Sequence, residues 1–386
     1  MHAQALARGR SQGDVRKIEG KMRSVRYGYS RFAGLAALAC LALGVAASAS
    51  APAMAQKKDV YFLTWGGTIQ AMLERDGWAK KFAEDTGYNV ILVPKATAPE
   101  IMATAFAQKA SPQVDVVMAD MLPFLVGVQQ GLFAPIDDKG VPNLDKLLDA
   151  AHIKDAKSGK DVGVVTYADI FCIIYNDDVF KKKGWPAPAK WADLERPEFK
   201  GQLLMPPGNA IYGIYNLIIQ ARAHGGSERD IEPGFAALKR MAPGVVDWSN
   251  TFAKMSDLLQ AETASVAVFN TSAAADMIRR GMHVAYTVPE PVYMSPTAAG
   301  IMQNGPNPEG ARAFLNWWIS AKVLSYRSET YGQSPMNKEV QLSPEAAKRV
   351  PHGEQLSKLT TIDYDYVNEQ RPAWVERFEK EVATLH

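Results

Sequence analysis

The sequence predicts an α/β fold in two lobes, each a mostly parallel sheet flanked by helices. Two observations carry this expectation. Short runs of β-forming residues alternate with amphipathic stretches of helical period, the pattern that builds parallel sheets covered by helices. No Ser/Gly linker, low-complexity tract or internal repeat interrupts the alternation, so two lobes joined by strands fit better than two separate beads.

The 386 residues are 47% apolar and 22% charged, an ordinary globular composition. The formal charge of +2 hides an asymmetry. Residues 1–55 hold Arg8, Arg10, Arg16, Lys17, Lys21, Arg23, Arg26 and Arg31 against Asp14 and Glu19; taking these from 43 basic and 41 acidic residues leaves 35 against 39, a net −4. A mildly acidic body without clustered Lys/Arg disfavours nucleic acid as a partner. Residues 32–47 carry no charge and lead through small residues to Ala53-Met54-Ala55, which reads as a signal peptide cleaved after Ala55. That apolar run is short of the roughly 20 residues that span a hydrocarbon core. The stretch before Arg31 is long, so Met22 is an alternative start. Acylation of Cys40 is a weaker reading, because Ala37-Leu38-Ala39 meets the need for small residues only loosely, and the lone Arg31 disfavours the twin-arginine route. The expectation is a periplasmic protein. After cleavage only Cys172 remains, so no intrachain disulfide is expected. Its apolar neighbours Ile170, Phe171, Ile173 and Ile174 mark a buried structural thiol.

Residues 59–65 are rich in β-formers and stop at Gly66 and Gly67. Thr68 then opens an amphipathic stretch with Ile69, Met72, Leu73, Trp78 and Phe82, ending near Gly87, which reads as strand, turn, helix. A strand over 88–93, a helix over 99–110, a strand over 114–120 and a helix over 122–130 follow. Ligands gather at the carboxyl ends of such strands, which places Trp65, Gly66, Gly67 and Thr68 beside Asp120 and Met121 at one rim. Further on, 161–167 and 170–175 are strand-like, 191–194 begins a short helix, and 202–205 is a strand broken by Pro206-Pro207-Gly208-Asn209. A helix over 212–224, helical segments over 231–241 and 254–261, a strand over 265–269, a helix over 273–281 and a strand over 284–288 continue the alternation. Residues 295–303 are extended, and Pro308-Glu309-Gly310 starts a helix over 311–321 with Phe314, Leu315, Trp318 and Ile319 inward. The expected lobes are residues 56–166 and 167–292, with 293–345 returning to the first lobe and 346–386 forming a C-terminal helical segment.

Catalytic and metal signatures are scarce. The chain has no Gly-x-Gly-x-x-Gly, Walker loop, Gly-x-Ser-x-Gly, His-Glu-x-x-His or Cys-x-x-Cys. His152, His224, His283, His352 and His386 lack metal-ligand spacing. Asp137, Asp138, Asp177 and Asp178 read as turn or cap residues, and 363–366 as a polar surface segment with calcium the remote alternative. No cofactor, metal or catalytic residue is expected.

Aromatic residues instead collect at strand ends: Tyr61, Trp65, Tyr167, Trp248, Phe269, Tyr293 and Tyr331. Aromatic faces attract organic cations, and nearby carboxylates complete a cage. Any one of these rings can equally be core. Trp65 stands out, because it precedes a Gly-Gly turn where backbone can approach a ligand, and Thr68 can cap the next helix or donate a hydroxyl. The same helix start can alternatively hold an anion.

The leader, Val60-Tyr61-Phe62-Leu63-Thr64-Trp65-Gly66-Gly67, Val114-Asp115-Val116-Val117, Gly131-Leu132-Phe133-Ala134-Pro135-Ile136-Asp137, Tyr175 with Asn176, Trp191-Ala192-Asp193-Leu194, Phe199-Lys200-Gly201-Gln202-Leu203, Pro308-Glu309-Gly310-Ala311-Arg312-Ala313-Phe314-Leu315-Asn316-Trp317 and Tyr331-Gly332-Gln333-Ser334-Pro335-Met336-Asn337 together resemble the periplasmic solute-binding proteins of ABC importers, with the nearest likeness to the spermidine/putrescine-binding branch. The resemblance covers nearly the whole chain after the leader. It implies the two-lobed type II periplasmic-binding-protein fold, crossing strands, hinge closure on one small-molecule solute, and delivery to an ABC permease in the inner membrane.

By that resemblance Trp65, Gly67 and Thr68 form the first-strand binding turn, Asp120 and Met121 end a later strand, Tyr167 and Asp169 lie on the first crossover, and Tyr293 and Ser295 on the return crossover. Apart from the resemblance, Asn270 with Thr271 and Ser272 forms a hydroxyl-rich helix start that can hold an anion, and Glu290 joins Asp120 and Asp169 as a candidate ammonium partner. Tyr293-Met294-Ser295 keeps the aromatic of the polyamine pattern and lacks its acid, as does Pro206-Pro207-Gly208-Asn209. No Tyr-Tyr pair is present, which disfavours ferric iron. The expected function is that of a monomeric, non-enzymatic binding protein for a small amine-bearing solute, a polyamine or related organic cation. The alternatives are a phosphonate or carboxylate held at helix N-termini, and, more distantly, an exported enzyme.

Overall fold

The computed structural model describes residues 58–249 and 251–385; the expected leader of residues 1–55 lies outside the described residues. The strands are β1 (Asp59–Trp65), β2 (Asn89–Lys95), β3 (Val116–Asp120), β4 (His152–Lys154), β5 (Asp161–Asn176), β6 (Leu203–Met205), β7 (Val245–Trp248), β8 (Val266–Asn270), β9 (Val284–Thr287), β10 (Met294–Ile301) and β11 (Ser334–Pro335). They run in the order β2-β1-β3-β10-β5-β8-β6-β7, with β4, β9 and β11 each pairing β5 off this path. Pairs β1 with β2, β1 with β3, β6 with β7 and β6 with β8 are parallel, while every pair made by β5 and β10 is antiparallel.

Strand β5 is the element that joins the two lobes. Its residues up to Ile170 pair with β10, β4 and β11, and its residues from Phe171 onward pair with β8 and β9. The two strands expected over 161–167 and 170–175 are therefore one strand of 16 residues. Ala168 and Asp169 do not interrupt it, because neither is a Gly or Pro, and the side-chain alternation runs on with Ala168 and Ile170 buried and Asp169 half-exposed.

A first core is organised by rings from three elements. Phe62 of β1, Phe82 of the helix Trp78–Thr86 and Phe314 of the helix Pro308–Trp318 meet with centroids 4.7 and 5.2 Å apart, and Trp318 stands 5.2 Å from Phe62. Burying one such phenylalanine contributes roughly 1.5–3 kcal/mol. A second core gathers Trp191, Phe199, Tyr215, Phe235 and Tyr293, and the C-terminal helix Tyr364–Glu381 adds Val367, Trp374 and Phe378 to it. Cys172 is fully buried in a third cluster with Ile174 and Met255, and burial pushes its thiol well above the ordinary range.

Two local expectations change. The amphipathic stretch from Thr68 to Gly87 is not one helix: a short helical segment, Thr68–Gln70, widens into a π-type turn over Ala71–Arg75, and Gly77 at φ 76° then breaks the path before Trp78–Thr86. Ile69, Met72, Leu73, Trp78 and Phe82 are nevertheless all buried. Strands β4, β7 and β11 have no counterpart among the strands expected from sequence, because they are 3, 4 and 2 residues long and no alternation marks them.

Candidate functional site

Register builds the floor of the cleft. Thr297 of β10 lies opposite Asp120 of β3 on one side and opposite Tyr167 of β5 on the other, so these three side chains form one row across the sheet. Asp169 lies two residues further along β5, on the same face as Tyr167, and opposite Ser295. Above this floor is a cavity of about 610 Å³. One wall is the turn after β1, with Trp65, Gly66, Gly67 and Thr68; the other is the end of β8 and the start of the helix Thr271–Arg279, with Phe269, Asn270 and Ser272. Tyr331 and Gln333 close one side.

The turn needs its glycine. Gly67 adopts φ 60° and ψ −122°, a conformation that an L side chain strains to reach. Gly67 itself occupies the N-cap, and Thr68 makes no capping hydrogen bond. Only three residues are α-helical before the path widens, so few aligned N–H groups face an anion there.

Asp169 sits in a hydrogen-bonded network. Ser272 Oγ donates to its Oδ1 at 2.6 Å and lies 2.9 Å from Asn270 Oδ1, which accepts the N–H of Ala273 at 2.8 Å and so caps the helix. Asn270 Nδ2 donates to the Tyr212 hydroxyl at 2.7 Å, and Tyr212 also bonds Asp169 and Ser295. Burial raises the Asp169 carboxyl, and the bonds from Ser272 and Tyr212 and the charge of Arg327 oppose the rise. Asp120 has less help. Burial, reinforced by the negative charge of Asp169, pushes it up to about 7, with only the Arg371 charge opposing.

Beneath Tyr167 lies a buried cation. The Arg327 guanidinium is 4.3 Å from the Tyr167 ring centre and 4.8 Å from that of Trp318, and Nη2 donates to Gln333 Oε1 at 2.6 Å. It makes no ion pair among the described residues. Nothing in the sequence singles out Arg327, which sits mid-helix between polar residues. Ser272 was visible only as part of a hydroxyl-rich helix start, and Tyr212 carried no signal.

The cavity thus brings together Trp65, Gly67, Thr68, Asp120, Tyr167, Asp169 and Asn270. Three expected residues lie elsewhere. Ser295 is buried on β10 beside Asp169, its cross-strand partner, and is turned to Tyr212 rather than lining the cavity. Tyr293 is fully buried in the second core, 6.4 Å from Trp191 and beneath the Arg222 guanidinium at 5.8 Å, because the helix Ile211–Ala223 covers that end of the return crossover. Glu290 is exposed and bonded to Lys358 at 2.7 Å in a separate groove. Of the other aromatics, Phe269 and Tyr331 line the cavity, Trp248 packs on Phe378, and Tyr61 is 37% exposed on β1. Among the described residues no group of three or more His, Cys, Asp or Glu is placed to hold a metal ion.

Residues 77–352 match the bacterial extracellular solute-binding protein family. The chain belongs to that family. This solute-binding protein is 24% identical over 374 residues to a probable ABC transporter periplasmic-binding protein of Sinorhizobium fredii, covering 90% of this chain and 92% of that one. It is 23% identical over 319 residues to the spermidine/putrescine-binding periplasmic protein of Escherichia coli, covering 81% and 87%. Its fold is similar to the crystal structure of a putative extracellular solute-binding protein from Bordetella parapertussis, with a TM-score of 0.72 at 19% identity over 84% of this chain and 99% of that one. The two-lobed type II architecture expected from sequence is the fold these proteins share.

Proposed function

We propose that the protein is the solute-binding component of an ABC importer, that it is exported through a cleaved signal peptide and acts as a monomer in the periplasm, and that it captures a small amine-bearing solute rather than turning one over. The observation that carries the ligand class is the pair Asp120 and Asp169, set on neighbouring parts of one sheet floor and walled by Trp65, Tyr167, Phe269 and Tyr331. Carboxylates supply an ammonium with charge-assisted bonds, and aromatic faces accept its alkyl chain and its charge. The similarity to the spermidine/putrescine-binding periplasmic protein of Escherichia coli supports the same class.

The cleft walls belong to the turn after β1 on one lobe and the helix after β8 on the other, and the chain passes between the lobes within β5, near Ile170 and Phe171, and again between β9 and β10, near residues 288–293. A solute touching both walls favours the closed arrangement by the contacts it gains there, and hinge bending of the two crossing segments provides the motion. The closed, loaded protein would then dock on a membrane permease.

A second reading, binding of a small anion, is favoured by Arg75, Arg279 and Arg280, which line the same cavity. Melting temperature recorded against putrescine, spermidine, monoamines, carboxylates and phosphonates separates the two, because a ligand of the folded state raises apparent stability by mass action. Shifts with amines support the first reading; shifts with anions alone replace it by the second.

A further inference from the structure

Six charged side chains line the cavity among the described residues: Asp120, Asp169 and Asp276 against Arg75, Arg279 and Arg280. They balance, and they are segregated. Asp120 and Asp169 lie at the floor, on β3 and β5. The arginines lie at the mouth, with side chains 69%, 54% and 61% exposed for Arg75, Arg279 and Arg280. Arg279 ends the helix whose second residue, Ser272, bonds Asp169. The helix rises about 1.5 Å per residue, so roughly 10 Å of helix separates the acidic floor from the basic mouth.

Each end also carries an uncompensated surplus. At the mouth Arg279 and Arg280 share the single carboxylate of Asp276, while Arg75 is matched by Asp76. At the floor two carboxylates face the cavity, and the cations set against them do not line it: Arg327, behind the Tyr167 ring, acts on Asp169, and Arg371 acts on Asp120. A diamine would satisfy the floor with one ammonium and set its other ammonium against the surplus guanidinium. A chain with an ammonium at one end and a carboxylate at the other matches both ends. Resting on the amine-binding reading of this cleft, we infer that the solute is an ω-amino acid, its ammonium at Asp120 and Asp169 and its carboxylate at Arg279 and Arg280, rather than a polyamine.

Calorimetric titration of the purified protein with 4-aminobutanoate, 5-aminopentanoate and 6-aminohexanoate, each beside the diamine, the monoamine and the simple carboxylate of the same chain length, tests this. The expected result is that at least one amino acid binds ten-fold or more tightly than its matched diamine, and that replacing both mouth arginines (Arg279→Gln with Arg280→Gln) narrows or reverses that preference. Both are exposed, so the melting temperature of the variant checks that it remains folded. A diamine that binds as tightly as the amino acid, or tighter, overturns the anionic end and leaves the amine reading standing. A simple carboxylate that binds more tightly than the monoamine overturns both, as does the absence of binding by every probe.

Discussion

Ser272 Oγ donates to Asp169 Oδ1 at 2.6 Å, so the first turn of a second-lobe helix is tied to the strand that crosses between the lobes. The bond does two things. It holds one carboxylate oxygen in place and stabilises its ionised form against burial. Ser272→Ala is expected to weaken binding of an amine probe by about 1.5–3 kcal/mol, the range for hydrogen bonds to charged groups, in a variant that still unfolds cooperatively. Calorimetry on the variant checks this, and an unchanged affinity would remove Ser272 from the account.

Trp65 stands at the rim as the half-buried aromatic wall of the first lobe. Trp65→Ala should cost about 1 kcal/mol or more of binding free energy if the ring faces the ammonium-bearing solute. Affinity equal to the parent protein would place the ligand elsewhere in the cleft.

The Asp120 carboxyl, raised to about 7 by burial and by Asp169, makes binding and stability depend on pH in opposite directions. An ammonium favours the ionised carboxylate, so affinity should rise as pH increases toward about 7 and level off above it. The folded protein holds this proton more tightly than the unfolded chain, so the stability linked to Asp120 is fully present below about 4 and is lost as pH rises through about 7. Titrations from pH 5.5 to 8.5 on the parent and on Asp120→Asn check the sign: the variant should lose most of the pH dependence of binding.

Gly67→Ala places a Cβ at φ 60°, ψ −122°. No neighbouring atom blocks it, so the expected loss, on the order of 1–3 kcal/mol, comes from backbone strain alone. Thermal unfolding measures it, and any retreat of the turn to relieve the strain should also weaken binding at the rim.

The alternation of elements and the placement of Trp65 and Asp120 at strand ends were legible from local signals: period-two runs, a Gly-Gly stop, and the rule that strand ends face ligands; Tyr167 was marked only as an aromatic at an expected strand end, and Asp169 only by the family resemblance, because both lie inside the unbroken strand β5. What escaped depends on chain brought in from afar. Tyr293 has the parity of a cleft residue, yet the helix Ile211–Ala223 lies over it. Glu290 is drawn to Lys358, 68 residues later. Arg327 is flanked by Tyr326 and Ser328 in a helix with no apolar stripe, and only the folded core reveals a guanidinium between Tyr167 and Trp318. The break at Gly77 is similar, because the buried residues on both sides keep the helical spacing that concealed it.

The central claim is that the carboxylates at the cleft floor hold an ammonium group. Its most direct test is calorimetric titration of the parent protein and of the isosteric Asp169→Asn variant at pH 8 with the tightest amine-bearing probe. If the floor carboxylates hold the ammonium, Asp169→Asn loses at least ten-fold in affinity and still unfolds cooperatively. An affinity that stays the same or increases would contradict it.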